Sequence, residues 1–259
     1  MRRRVRPIRR PQRRHRPAAA PYRAFTLLEV LVVIAVIAIL LALLSSALSA
    51  SRRAGLNLRC ISQMQSIAFE FRIFADDFSA RNRGESELLG PDRFYIDDFQ
   101  DSLYRIDEFW DAGPIPLVPY ESRISMMCPA GPDDLARRPG LTAFQDALWP
   151  PQNVSIAFNR RLWRDGLSPG IRQLSSRVLS YPNTPLVIDV DGAAAVAASH
   201  ESTYTAPPVS TLDDIYSGGA YWYPAFRHGA SLNVAFIGGH VASSKAPLSE
   251  SSWRWDHVP

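Results

Sequence analysis

The sequence is poor in cysteine, with two in 259 residues. That scarcity excludes a disulfide-rich scaffold and a four-cysteine zinc module. Acidic residues are missing from the first 24 positions, where ten arginines stand between Arg2 and Arg23. Without that leader, nineteen basic residues face 25 acids, a balance of −6. The overall charge of +4 and the basic pI therefore describe one end of the chain, and they do not describe a surface for nucleic acid. A second long apolar run is absent, which excludes a polytopic membrane protein. No Gly-x-Ser-x-Gly elbow, His-Glu-x-x-His, phosphate loop or closely paired cysteines occur, so no enzymatic activity, cofactor or metal ligand set is expected. Internal repeats are also missing. What remains is 46% hydrophobic and 10% aromatic. That is enough to bury a core in one domain of ordinary size, and it excludes wholesale disorder.

One apolar run stands out. Val30 to Ala50 is 21 residues without a charge, broken only by Ser45, Ser46 and Ser49. At ~1.5 Å rise per residue such a helix spans about 30 Å, the hydrocarbon thickness of a bilayer. A secretory signal peptide needs a shorter apolar core followed by a small-x-small site. Ala47-Leu48-Ser49 and Ser49-Ala50-Ser51 match that site weakly. Arginines crowd the side before the run, so the positive-inside bias keeps residues 1–24 cytoplasmic and sends the remainder outward. A twin-arginine signal is not supported, because no Phe-Leu-Lys follows Arg9-Arg10 or Arg13-Arg14. Glu29 sits at the edge of the run, where a carboxylate entering hydrocarbon costs ~2.5–3.5 kcal/mol and calls for a partner.

Residues 24–40, Ala-Phe-Thr-Leu-Leu-Glu-Val-Leu-Val-Val-Ile-Ala-Val-Ile-Ala-Ile-Leu, resemble the N-terminus of type IV prepilins and type II secretion pseudopilins. The resemblance implies that a prepilin peptidase cuts between Ala24 and Phe25 and methylates the new amino terminus of Phe25. The family usually places Gly before the cut, and Ala24 departs from this. Glu29 becomes the fifth residue of the mature chain. There its carboxylate would pair with the cationic Phe25 amine of a neighbouring subunit, neutralising charge inside an apolar helix bundle. The partners implied are the peptidase, other pilin-like subunits, an inner-membrane assembly platform and the bilayer, with no nucleic acid. The location implied is the cytoplasmic membrane, single-pass, with a periplasmic C-terminal domain.

Beyond the run, Leu56, Cys60, Met64, Ile67, Ala68, Phe71, Phe74, Ala75 and Phe78 recur at three- and four-residue steps. No proline occurs between Pro21 and Pro91. Together these predict one helix over about 25–79, transmembrane over 25–50 and amphipathic over 51–79, then a globular domain over 80–259. Residues 76–111 hold eleven acids against four arginines. Asp97-Asp98-Phe99-Gln100-Asp101 reads as a solvated acidic face, with Ca²⁺ the alternative. Asp189-Val190-Asp191-Gly192 opens like a calcium loop but fails afterwards at Ala193 and His200. Proline-rich stretches mark loops. Candidate strands are 154–158, 177–181, 186–190, 231–237 and 240–244, the last two flanking Gly238-Gly239 as a hairpin signal. The expected fold is α+β, a long N-terminal helix packed on a small antiparallel sheet, pilin-like.

The C-terminal segment 227–241, Arg-His-Gly-Ala-Ser-Leu-Asn-Val-Ala-Phe-Ile-Gly-Gly-His-Val, resembles the terminal signature of a large prepilin-like family common in planctomycetes. That signature is a His, nine residues, then Asp-Gly. Here His228 stands in place and Gly238 replaces the Asp before Gly239. Both dipeptides suit a type I′ turn, which needs positive φ. On that reading His228 is a structural hydrogen-bonding residue near the hairpin and His240 an ordinary strand residue. Cys60 and Cys128 would both lie outside the cytoplasm, where disulfides persist. A bridge closing a loop of roughly 70 residues would stabilise by ~4 kcal/mol, and two separate buried thiols are the other reading. The function expected is a structural pseudopilin or minor pilin-like subunit. The alternative is a membrane-anchored metal-binding or hydrolytic domain, for which His228, His240, Asp189, Asp191 and Ser231 are the available groups.

Overall fold

A computed structural model of the chain describes residues 26–76, 93–104, 118–119, 127–131, 136–137, 153–162, 173–209 and 215–256. The chain divides into two units, residues 1–48 and 49–259. Helix α1 (Leu27–Asp76) is a single α-helix of 50 residues, within the span that periodicity predicts. Phe25 and residues 77–79 of that span lie outside the described residues.

In the first unit α1 is exposed along its described length. Its apolar side chains from Leu27 to Leu48 are exposed, Leu27 at 78%. The most apolar 18-residue window has a mean hydropathy of 3.3, and none of it is buried. The helix is therefore long and apolar enough to cross a membrane. The Ser45 and Ser46 hydroxyls donate to the Leu41 and Leu43 carbonyls at 2.7 and 2.8 Å. This satisfies them without water, as an apolar surrounding requires.

In the second unit, α1 turns Cys60, Met64, Ile67, Ala68, Phe71 and Ala75 inward. Their three- and four-residue spacing places them on one face of a 3.6-residue helix. They pack on a domain whose elements follow in order: β1 (Arg93–Phe94), α2 (Ile96–Tyr104), β2 (Val118–Pro119), β3 (Ala136–Arg137), β4 (Ile156–Asn159), β5 (Leu174–Ser175), β6 (Pro185–Asp189), α3 (Gly192–Ala197), β7 (Tyr204–Thr205), β8 (Leu232–Phe236) and β9 (Val241–Ser244). Two short ladders pair β1 with β5 and β2 with β3. The main sheet has the order β7-β4-β6-β8-β9. All of its pairs are antiparallel except β4 with β7, which is parallel, Phe158 opposite Tyr204. The expected antiparallel sheet is thus mixed at one edge. The reason is α3, which reverses the chain after β6 and delivers β7 alongside β4.

The sheet is buried on both faces, which explains why β4, β6 and β8 are buried at every position. Toward α1, Phe71 meets Phe94 and Phe99 edge-to-face at 6.1 and 5.1 Å, and Phe99 meets Phe158 at 5.9 Å. On the other face Leu232, Val234 and Phe236 alternate out of β8 into a cluster with Ile188 and Trp255, flanked by Trp222 and Trp253. Arg161 fastens that side from within. Its guanidinium donates to the Pro207 and Val209 carbonyls and pairs with Asp256 at 2.6 Å.

Two further expectations change. The predicted strand over 177–181 is a 3₁₀ helix over Ser176–Ser180. Tyr181 N–H donates to the Val178 carbonyl and Thr184 N–H to the Tyr181 carbonyl, two tight turns that straddle Pro182. Pro182 has no N–H to give a ladder. The acidic stretch 97–101 lies within α2 and is not simply a solvated face. Phe99 and Gln100 are buried, and Asp98 accepts the Tyr95 N–H at 2.7 Å at the helix start. Most of the rest of the acidic segment lies outside the described residues.

Candidate functional site

At the N-terminal end, Ala24 and Phe25 lie outside the described residues, and Glu29 is in the first turn of α1. Its carboxylate accepts the Thr26 N–H at 2.8 Å and the Thr26 hydroxyl at 2.9 Å. The Glu29 N–H returns a bond to Thr26 Oγ1 at 3.3 Å. Reciprocal bonds between a threonine and a glutamate three residues on form a capping box. Thr26-Leu27-Leu28-Glu29 carries that signature in sequence, so the capping role of Glu29 was readable there. The box fixes where the apolar helix begins and holds the carboxylate at its end.

The second unit contains a denser constellation. Cys60 of α1, Cys128 of the 127–131 loop, Asp189 at the end of β6 and His228 ahead of β8 converge, their ligand atoms all within 4.8 Å of one another. Cys60 and Asp189 are fully buried, Cys128 is 1% exposed and the His228 side chain 2%. Cys60 Sγ stands 3.6 Å from Asp189 Oδ1, Cys128 Sγ 3.1 Å from His228 Nε2, and His228 Nε2 3.4 Å from Asp189 Oδ2. Cys60 and Cys128 are neighbours and both are free, buried thiols in this structure, so of the two readings left open it has the thiols and not the bridge. Each sulfur has a polar partner in the cluster, the carboxylate for Cys60 and the imidazole for Cys128.

A surrounding layer holds the four side chains. Ser155 Oγ accepts the Cys128 N–H at 2.6 Å, and the Ala130 N–H donates to the Cys128 sulfur. The Asn233 N–H donates to Asp189 Oδ2 at 3.0 Å. The Arg227 guanidinium donates to the Ser155 and Val190 carbonyls, both at 2.8 Å, and lies 3.8 Å from Asp189 Oδ1. Burial pushes the Asp189 carboxyl up to about 7, against the pull of Arg227. Burial, with Arg227 beside it, pushes His228 down, which favours neutral imidazole. Hydrogen bonding to Cys60 lowers the Cys128 thiol, and the same contact raises Cys60.

His228 is delivered by a turn expected elsewhere. The His228 and Ser231 backbones exchange N–H···O bonds at 3.3 and 3.2 Å. Between them Gly229 and Ala230 have φ of 66° and 63°, the positive pair of a type I′ turn. At Gly238-Gly239 only Gly239 has positive φ, 89°. Gly239 N–H donates to the Phe236 carbonyl and Phe236 N–H to the His240 carbonyl, a three-residue loop with glycine at its left-handed end. Gly238 is needed for a different reason. A Cβ there would stand 2.8 Å from the Pro182 carbonyl oxygen. Any side chain at this position, an aspartate included, would collide with Pro182. Gly238→Ala is expected to destabilise the domain by about 1–3 kcal/mol, as overpacking against backbone does. Denaturant unfolding checks this, and an unchanged midpoint would refute the close-approach account.

The other candidates disperse. Asp191 caps α3, accepting the Ala194 N–H at 3.1 Å. His240 is exposed and stacks on Phe236 at 4.4 Å. Ser231 serves the turn through its backbone. No metal ligand set is expected from the main reading, and the metal-binding alternative names only His228 and Asp189 of the four residues that converge. Their separation hides them, Asp189 standing 129 positions after Cys60 and His228 100 positions after Cys128.

Residues 20–45 match the family described as the prokaryotic N-terminal methylation motif. No curated protein and no solved structure matches the chain. The motif supports a type IV pilin-like precursor and implies processing by a prepilin peptidase. With the apolar helix it points to a membrane-anchored, single-pass protein, and the α+β arrangement is consistent with a pilin-like fold.

Proposed function

We propose that this chain is a pseudopilin or minor pilin-like structural subunit without enzymatic activity. On this reading it is cut between Ala24 and Phe25, methylated at Phe25, and assembled into a type II secretion or type IV pilus-like filament. The observation that carries it is the bare apolar segment of α1, headed by Glu29 and coinciding with the methylation motif at 20–45. Such a segment needs lipid before assembly and neighbouring helices after it. Further along α1, exposed Leu58, Phe69 and Ile73 extend the surface available to neighbours. The arginine leader supports a cytoplasmic N-terminus, an inner-membrane anchor and a periplasmic domain 80–259, next to an inner-membrane assembly platform. The likeness around His228, Gly238 and Gly239 supports the planctomycete-type branch.

Mass spectrometry of the N-terminus of the protein isolated from its membrane tests the reading. Methylated Phe25 is the expected result. A chain still beginning at Met1, or starting near Ser49 as after signal-peptide cleavage, would sink it.

A further inference from the structure

We propose that Cys60, Cys128, Asp189 and His228 form a four-ligand structural zinc site that fastens α1 to the sheet. Structural zinc takes four protein ligands from sulfur, imidazole nitrogen and carboxylate oxygen, in tetrahedral array. With usual zinc–ligand bonds, the atoms of such an array stand about 3.3–3.8 Å apart. One edge, Cys128 Sγ to His228 Nε2, is 3.1 Å; Asp189 stands 3.4 Å from His228 Nε2 through Oδ2 and 3.6 Å from Cys60 Sγ through Oδ1, and the four ligand atoms lie within 4.8 Å of one another. The ligand atoms thus lie close to tetrahedral spacing, and side-chain rotations would bring them onto one ion.

The donor set selects the metal. Two sulfurs disfavour Ca²⁺ and Mg²⁺, which take oxygen, while a thiolate, imidazole and carboxylate mixture suits Zn²⁺. The surroundings suit a thiolate site. The Ala130 N–H points at the Cys128 sulfur, the Asn233 N–H orients Asp189, and Arg227 supplies a nearby positive charge. Two thiolates and a carboxylate carry three negative charges. Zn²⁺ and Arg227 together carry three positive ones, so the loaded site is electroneutral in a buried setting where net charge is costly. Loading releases the two thiol protons to solvent. All four protein ligands are buried, leaving no open coordination position, so the site is structural and not hydrolytic. Its consequence is mechanical: Cys60 ties α1 to Cys128, Asp189 and His228 of the domain. The inference stands apart from the filament reading, since it uses only residues 49–259.

The test uses the full chain, purified in detergent without chelator and exchanged against Zn²⁺, then freed of excess metal. About one zinc per chain is expected by elemental mass spectrometry, with both thiols shielded from alkylation until a chelator is added. Cys60→Ser and His228→Ala should each retain less than about a tenth of that zinc, and Arg227→Gln should weaken binding by about 10–100-fold. Because a ligand variant can simply misfold, Co²⁺ substitution of the unmodified chain gives an independent reading. Thiolate-to-cobalt charge transfer with tetrahedral ligand-field bands supports the site. Octahedral cobalt without sulfur charge transfer overturns it. So does zinc retained by a Cys60→Ser, Cys128→Ser double variant, or a chain isolated without zinc and carrying a Cys60–Cys128 disulfide.

Discussion

Asp189→Ala should lower the stability of the C-terminal unit by about 3–5 kcal/mol, even with a chelator present to keep metal out of the comparison. The carboxylate is fully buried and sits where α1, β6, β8 and the turn before β8 meet. Its removal leaves the Asn233 N–H without an acceptor, at a cost of about 1–3 kcal/mol. It also takes away the only carboxylate close to Arg227 among the described ion pairs, at 3.8 Å, and leaves a void between the two sulfurs and the imidazole. For a unit of this size the loss corresponds to a fall in Tm of roughly 6–20 °C. Asp189→Asn keeps the shape and one acceptor, so it should cost distinctly less. Differential scanning calorimetry of the chain in detergent decides the matter. An alanine variant that melts with the unmodified protein would mean that Asp189 is dispensable and that the convergence has no structural weight.

Asp189 and His228 are named by the metal-binding alternative, but their meeting with Cys60 and Cys128 is not legible, because of how the four are supplied. Each member comes from a different element, and only the packing of α1 on the sheet brings Cys60 within reach of Asp189. Metal-ligand spacing rules detect sites built by one loop or one helix, where ligands lie a few residues apart. By contrast, the stripe Cys60, Met64, Ile67, Phe71 was legible because helix burial imposes a short period on the chain. Strands 186–190 and 231–237 were legible because they are apolar and bounded by turns. Segment 177–181 misled because Val178 and Leu179 suit a strand locally, and the choice was made instead by Pro182 and the tight turns around it. Gly238-Gly239 was rightly placed in a turn but with the wrong geometry. A glycine pair signals positive φ equally well whether one or both residues need it, and the clash with Pro182 that excludes a side chain at 238 is a long-range fact. The tryptophans that close the second apolar face, Trp222, Trp253 and Trp255, lie outside the strands and were not foreseen.

The capping role of Glu29 and its proposed role in assembly can be separated, because only the second depends on charge. Glutamine at the same position completes a capping box nearly as well as glutamate, whereas alanine removes the cap. Glu29→Gln should therefore preserve the start of α1, and Glu29→Ala should loosen it by about 1 kcal/mol. Assembly is expected to respond differently. In the proposed filament an amine of one subunit meets this carboxylate in an apolar bundle, and an ion left without its partner there costs about 3–5 kcal/mol. Each 1.4 kcal/mol is about tenfold in an equilibrium, so both variants should lower incorporation into filaments by roughly a hundredfold or more. Processing at Phe25 and folding of residues 49–259 should be retained in both. The measurement is the ratio of filament-borne to membrane-borne subunit in sheared fractions, alongside N-terminal mass spectrometry of each. If Glu29→Gln assembles like the unmodified chain while Glu29→Ala does not, the capping box is the whole of Glu29's contribution and charge pairing between subunits is refuted. If both assemble normally, the carboxylate is an interface residue snorkelling at the membrane edge, with its charge met by water and headgroups.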